Sequence, residues 1–291
     1  MIDKLEMFIA LAREKHFGRA AEALNIAQPS LSAGLKQLEG QLGVQLVIRG
    51  ARFGGLTPEG QRVLDWALKI VGDTRAMRDE MRAAKQGLAG NVRLAAVPTA
   101  LTTVAEITGS FARANPDVHF TILSRPATEI SLMLDSLTAD CGLTYLDAEP
   151  MGRIEAAPLY RESFALVAHE NTALPKTISW GATAAMPLCL LTPDMQNRRI
   201  INRNFAADGV DPAPAIESNS TLALLAHVEM GHWVTVLPVR LAQSLCAGKP
   251  LNYHPLPSQS DDATIGLIAP KRDPQTPVIA AFLAHARKLT L

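Results

Sequence analysis

One run of spacing constrains this chain more than any other. Val63, Ala67, Ile70, Thr74, Met77, Met81, Ala84 and Leu88 stand 4-3-4-3-4-3-4 residues apart. That is an unbroken heptad seam, the pattern of a helix that buries one stripe against another helix. Thr57-Pro58-Glu59 opens it with an N-cap hydroxyl, a proline at the first position and an acid in the first turn. Gly87 and Gly90 end it. Between the seam positions lie Arg62, Asp65, Lys69, Asp73, Arg75 and Arg78, a water-facing set. A helix of about 30 residues spans about 45 Å, longer than a small core, so it divides the chain into a short head and a larger body. The seam's small and flexible side chains need a partner, and a twofold pair of chains is the simplest one.

Charge follows the same division. The 291 residues carry 28 basic and 28 acidic side chains, a formal net charge of +0. A neutral total argues against nucleic-acid binding, which usually shows a basic excess. Yet residues 1–90 hold 13 Lys/Arg against 10 Asp/Glu, and residues 91–291 hold 15 against 18. A mildly basic head sits on a mildly acidic body.

In the head, Leu5, Phe8, Ile9 and Ala12 mark one face of a first helix. Ala20, Ala21 and Leu24 mark a short second helix that ends near Asn25, a residue that tolerates the left-handed turn. A third helix opens at Gln28-Pro29, with Leu31, Leu35, Leu38 and Leu42 pointing inward. Gln28, Pro29, Ser32, Ala33 and Lys36 share its wet face. Two short helices joined by a tight turn, the second presenting small polar groups, form a helix-turn-helix whose second helix enters the major groove. Gln pairs with adenine, Ser bonds several base edges, and Lys suits guanine or phosphate. Leu46–Arg49 and Gly55-Leu56 read as two short strands of a wing that presents Arg49 and Arg52 to phosphates or a minor groove.

The body alternates strands and helices. Strands at Val92–Val97, Val118–Leu123 and Cys141–Tyr145 flank helices at Leu101–Ala114 and Glu129–Leu137, which predicts a parallel sheet. A second set begins at Phe164–Ala168 and runs through the Asn197–Asp208 and Leu222–Met230 helices to Trp233–Pro238. Thr264–Ile268 and a Pro277–Leu289 helix close the chain. The expectation is two α/β lobes joined by crossing strands, a hinged clamp. Ligands in such sheets sit beyond the carboxyl ends of strands. That points to Pro98-Thr99-Ala100, Arg125–Thr128 and Thr192-Pro193-Asp194, where hydroxyls and free N–H groups favour a small anion such as a carboxylate. The plainer alternative is that Thr99, Thr128 and Thr192 only cap their own helices.

With these residues in view, the whole chain resembles the LysR-type transcriptional regulators. The match runs through His16-Phe17-Gly18-Arg19-Ala20-Ala21, Gln28-Pro29-Ser30-Leu31-Ser32, Leu35-Lys36-Gln37-Leu38-Glu39, Leu42-Gly43, Arg49 and Leu56-Thr57-Pro58-Glu59-Gly60. Val228-Glu229-Met230-Gly231 and Val236-Leu237-Pro238 extend it into the body. The resemblance implies a winged helix-turn-helix, a dimerising linker helix and a two-lobe, periplasmic-binding-protein-like effector domain. It also implies dimers of dimers (a homotetramer) that bend promoter DNA and respond to a metabolite. By family pattern Gln28, Pro29, Ser32 and Ala33 face bases, and Ser30, Lys36, Arg49 and Arg52 face the DNA backbone. The family's effector cleft maps onto Thr99, Leu101, Thr128, Thr192 and Asn219, beside Ala100 of the first loop. The sequence departs from the pattern at Val47, where the family usually has Phe, and at Ala33, where several relatives carry Arg. Pro126 is placed to reshape the second loop.

The expected limits are 1–58 for the DNA-binding domain, 59–89 for the linker helix and 90–291 for the effector domain. Within it, lobe I takes about 90–161 plus 267–291, and lobe II about 162–266. No cofactor and no metal are expected: His227 and His232 flank Glu229 without i, i+4 spacing. An enzyme is the main rival class, but the sequence contains no HExxH, no GxSxG and no phosphate-cradling glycine loop. A thiol redox sensor of the same architecture would use Cys141, Cys189 or Cys246, which have no CxxC spacing. The charged start, Met1–Glu6, is unlike a signal peptide, and the uncharged stretch Thr177–Pro193 is broken by Gly181 and Pro187. The expectation is a soluble cytoplasmic protein with no membrane partner.

Overall fold

A computed structural model describes residues 1–48, 53–147, 152–258 and 263–289. The chain forms two compact units. The first is Met1–Gly87 with the short segments Asp135–Thr138 and Pro274–Pro277; the second holds the rest.

The first unit contains α1 (Ile2–Glu14), α2 (Phe17–Ala23), α3 (Gln28–Leu42) and α4 (Pro58–Gln86). Lys15 ends α1 in the left-handed conformation, and the His16 ring then caps α2 by accepting from the Arg19 N–H at 3.2 Å. Asn25 takes the left-handed turn, φ 54°, between α2 and α3. Leu5, Phe8, Leu11, Ala21, Leu31, Leu35 and Leu38 close a core that also takes in Leu46 and Val47. Leu42, expected inward, is exposed. It lies in the last turn of α3 before Gly43 turns the chain at φ 69°, and Leu46 fills the core instead. Among the described residues the wing shows an antiparallel bridge, Val47 with Leu56, rather than two strands. Arg49 and Arg52 lie outside the described residues.

The motif Leu56–Gly60 is explained by what it touches. The Thr57 hydroxyl accepts from the Gly60 N–H at 2.8 Å and donates to the Gln45 carbonyl at 2.6 Å. The Thr57 N–H donates to the Leu46 carbonyl at 3.0 Å. Glu39 of α3 accepts from the Leu46 N–H at 2.8 Å. A Cβ on Gly60 would stand 2.9 Å from the Leu46 carbonyl carbon and closer still to its oxygen, so only glycine fits there.

Helix α4 divides its expected seam in two. Ala67 and Val71 are buried in the head core, with Val63, Leu64 and Leu68 packed beside them. Trp66, Ile70, Met77 and Met81 are exposed on a different stripe. Val63 and Ala67 therefore face their own head, because the first turns of α4 lie against it. Leu88 falls beyond the helix, which stops at Gln86 with Gly87 at φ 79°.

The second unit carries a five-stranded sheet ordered β2-β1-β3-β10-β4. Its strands are β1 (Gly90–Ala96), β2 (Val118–Ser124), β3 (Cys141–Tyr145), β4 (Ile154–Arg161) and β10 (Thr264–Pro270). β1, β2 and β3 are parallel, as the alternation predicts. β10 is antiparallel to both neighbours because it returns from the other lobe. Helices α5 (Leu101–Ala114), α6 (Ala127–Asp135) and α11 (Pro277–Lys288) go with this sheet.

The second lobe is built on β5 (Phe164–His169), β6 (Cys189–Leu191), β7 (Ile216–Ser218), β8 (Thr235–Pro238) and β9 (Leu251–Pro255). They pair as β8-β5-β9 and β6-β7, with a bridge from Leu188 to Val234 between the two sets. Its helices are α7 (Trp180–Ala184), α8 (Gln196–Ala207), α9 (Thr221–Glu229) and α10 (Val239–Cys246). The two crossing segments bond to each other: the Glu162 N–H donates to Ala263 and the Leu256 N–H to Phe164, both at 2.9 Å. The lobe limit expected at 266/267 falls inside β10, all of which belongs to the first sheet.

Candidate functional site

On α3, Gln28, Pro29, Ser30, Ala33 and Lys36 are exposed and Ser32 is half-buried. Leu31, Leu35 and Leu38 anchor the opposite face. Gly34 lets α1 come close, since a Cβ there would collide with the Met7 sulfur. The helix start carries no side-chain cap: Ala27 has no acceptor, and Pro29 has no N–H to satisfy. An uncapped helix start with polar side chains suits a phosphate and a base edge together.

In the second unit, four strand ends converge on an open cleft of about 700 Å³. Pro98 and Leu101 come after β1, and Ser124, Arg125, Pro126 and Glu129 lie at the end of β2 and after it. The second lobe contributes Asp194 and Met195 after β6, and Asn219, Ser220, Thr221 and Leu222 after β7. Arg125 pairs with Glu129 at 3.5 Å, one turn along. Of the expected effector residues, Leu101 and Asn219 stand on this wall. Thr99 and Ala100 are buried behind it, Thr99 with its hydroxyl 3.3 Å from that of Tyr145. Thr128 is half-buried in the first turn of α6, next to Glu129. The Thr192 hydroxyl is buried with no partner among the described residues. Neither Thr99 nor Thr192 provides a side-chain cap for the helix that follows it. The Arg125–Glu129 pair was visible in the sequence as an i, i+4 spacing. Ser220 and Thr221 needed the β7–α9 turn, which the pattern alone did not single out.

Behind the second-lobe wall, Arg198 is buried. Its guanidinium donates to the Leu191 carbonyl at 2.6 Å, to Glu217 at 2.7 Å and to Asn202 at 2.8 Å. These bonds tie α8 to the ends of β6 and β7. Cys141, Cys189 and Cys246 are free and buried, and burial pushes all three thiols up, Cys189 to about 11. Reactive thiols are exposed and have depressed pKa values, so these three have the character of structural residues.

Comparison with known proteins assigns both units to one family. The model described as "Bacterial regulatory helix-turn-helix protein, lysR family" matches residues 2–61, and "LysR substrate binding domain" matches residues 85–290. The chain belongs to the LysR family. It is a DNA-binding transcriptional regulator with an effector-binding domain. The regulator XapR of Escherichia coli (strain K12) is 29% identical over 82% of this chain and 82% of its own. A full-length OxyR variant from Pseudomonas aeruginosa shares the fold with a TM-score of 0.75 at 23% identity, covering 99% of this LysR-family chain and 98% of that one. Full-length CbnR complexed with its target DNA has a TM-score of 0.64 at 22% identity, covering 99% of each chain. Among the described residues no helix is long and apolar enough to cross a membrane, and no three His, Cys, Asp or Glu side chains are grouped to hold a metal.

Proposed function

We propose that this LysR-family regulator reads promoter DNA in the cytoplasm with the first turns of α3. Gln28, Pro29, Ser32 and Ala33 face bases; Ser30, Lys36, Arg49 and Arg52 face phosphates. The observation that carries this reading is the exposed polar start of α3, held rigid by buried Leu31, Leu35 and Leu38. The proposed divisions are a reader over 1–58, a linker helix over 59–89 and an effector domain over 90–291.

The linker helix pairs two chains through Trp66, Ile70, Met77 and Met81, the stripe its own head leaves exposed. Two such pairs form the tetramer. An aspartate at both Met77 and Met81 puts charges in that seam. Light scattering at micromolar concentration should give multiples of the 31.2 kDa chain for the wild type and a smaller species for the double variant. A wild type that scatters only as one chain rules the pairing out.

The effector is a small carboxylate bound in the cleft between the lobes. Support comes from the Arg125 guanidinium and the Ser124, Ser220 and Thr221 hydroxyls on its walls. A thermal-shift panel of small carboxylic acids, run beside uncharged and cationic compounds of similar size, tests this. At least one acid at a hundred times its dissociation constant should stabilise the protein by about 2.7 kcal/mol, and Arg125→Ala should weaken that response. A panel in which only uncharged or cationic compounds shift unfolding refutes the carboxylate.

A further inference from the structure

Thr99, Tyr145, Glu162 and Asn197 form a buried polar cluster drawn from both lobes, each at most 3 % exposed. Thr99 lies between the wall residues Pro98 and Leu101, and Asn197 lies just past Asp194 and Met195. Glu162 sits on the crossing segment between β4 and β5. The Tyr145 hydroxyl at the end of β3 is the hub. It donates to Glu162 Oε2 at 2.6 Å. Having placed its one proton there, it accepts from Asn197 Nδ2 and from Thr99 Oγ1, both at 3.3 Å.

The cluster is only half satisfied. Glu162 Oε1 and Asn197 Oδ1 are buried without a hydrogen-bond partner among the described residues. A partly satisfied buried network holds a structure less firmly than an apolar core would. Its members come from the walls of the cleft and from the segment that must bend if the lobes part.

We propose that Tyr145 and Glu162 are a latch between the lobes: they position Thr99 and Asn197, and through them the two walls of the cleft. Burial raises the Glu162 carboxyl to about 7, while the Tyr145 hydroxyl and the nearby Asn197 amide pull the other way. The other titratable neighbours are Tyr145 and Tyr160, whose hydroxyls burial pushes up, Tyr160 to about 12, so both stay neutral near pH 7. Behind Tyr160, Arg240 stacks on its ring at 5.0 Å and pairs with Glu106 at 2.8 Å. Parting the lobes lets water reach the carboxylate and favours its ionised form. Closing therefore takes up a proton. The opened population rises about tenfold per pH unit towards pH 7 and levels above it.

The consequence for regulation rests on the cleft being the effector site, but the latch is measured without any effector. Nitroxides at Leu132 of α6 and Met230 at the end of α9, both exposed, report the lobe separation in the full chain, diluted with unlabelled protein. Electron–electron resonance should show a narrow distance distribution at pH 5.5 and a broader, longer one at pH 8. Glu162→Gln should remove the pH dependence, and Tyr145→Phe should broaden the distribution already at pH 5.5. Thermal unfolding of each variant checks that it is folded, and Tyr145→Phe decides alone if Glu162→Gln is not. Equal wild-type distributions at the two pH values, a pH response retained in Glu162→Gln, or an unchanged Tyr145→Phe overturns the latch. None of these outcomes bears on whether a carboxylate binds.

Discussion

Gly60→Ala should destabilise the DNA-binding head while leaving the effector domain unaffected. The new methyl would collide with the Leu46 carbonyl, which is backbone and already accepts from the Thr57 N–H. Moving that carbonyl breaks the bond and disturbs the neighbouring Glu39–Leu46 contact. Overpacking of this kind costs about 3 kcal/mol, and a domain of this size loses roughly 5 °C of melting temperature per kcal/mol. The first thermal transition should therefore fall by about 15 °C and the second should stay in place. Gly40→Ala is the control: no described atom lies within 4 Å of its added carbon, and alanine stabilises a helix interior by about 0.5–1 kcal/mol relative to glycine. Equal melting of the Gly60→Ala variant and the wild type would show that the contact relaxes freely.

Glu162→Gln should have its effect at alkaline rather than acid pH. The folded carboxyl titrates at about 7 against a reference of 4.5. Between these values the folded state binds more protons than the unfolded one. The stabilisation from protonated Glu162 is therefore complete below pH 4.5 and is lost as pH rises through 7. Relative to wild type, the glutamine variant should gain about 2–3 kcal/mol between pH 5 and pH 8. Urea unfolding of the effector domain at the two pH values measures the difference. A constant offset between the two proteins would mean that Glu162 titrates normally.

The contrast between these two residues shows what the sequence can carry. Thr57, Pro58 and Gly60 are neighbours in the chain, and their capping chemistry is local, so the start of α4 was legible from the sequence. The same holds for Asn25 and the buried leucines of α3. The seam of α4 was legible as a period, but the period did not say which stripe its own head would cover. That depends on how Ala67 and Val71 meet the head core. Glu162 gave no signal at all. Its partner Tyr145 stands at the end of β3, Tyr145 in turn meets Thr99 from a turn after β1 and Asn197 from the first turn of α8, and no spacing links positions 99, 145, 162 and 197. The antiparallel placement of β10 was hidden for the same reason, because it is set by the crossing between lobes. In the cleft, strand-end logic picked loops that the structure does bring together on its walls. The hydroxyl residues it chose, Thr99 and Thr192, lie behind the wall rather than on it.

The central claim is that α3 reads sequence while basic side chains beside it hold the DNA backbone. Filter-binding titrations of a specific duplex at several salt concentrations test it most directly, comparing wild type, Gln28→Ala and Lys36→Ala. Gln28→Ala should weaken specific binding by about 1–3 kcal/mol with the salt slope unchanged. Lys36→Ala should weaken binding to all duplexes and reduce the slope by about 1. Two variants that behave alike, or a Gln28→Ala protein that binds as tightly and as selectively as wild type, would contradict the account.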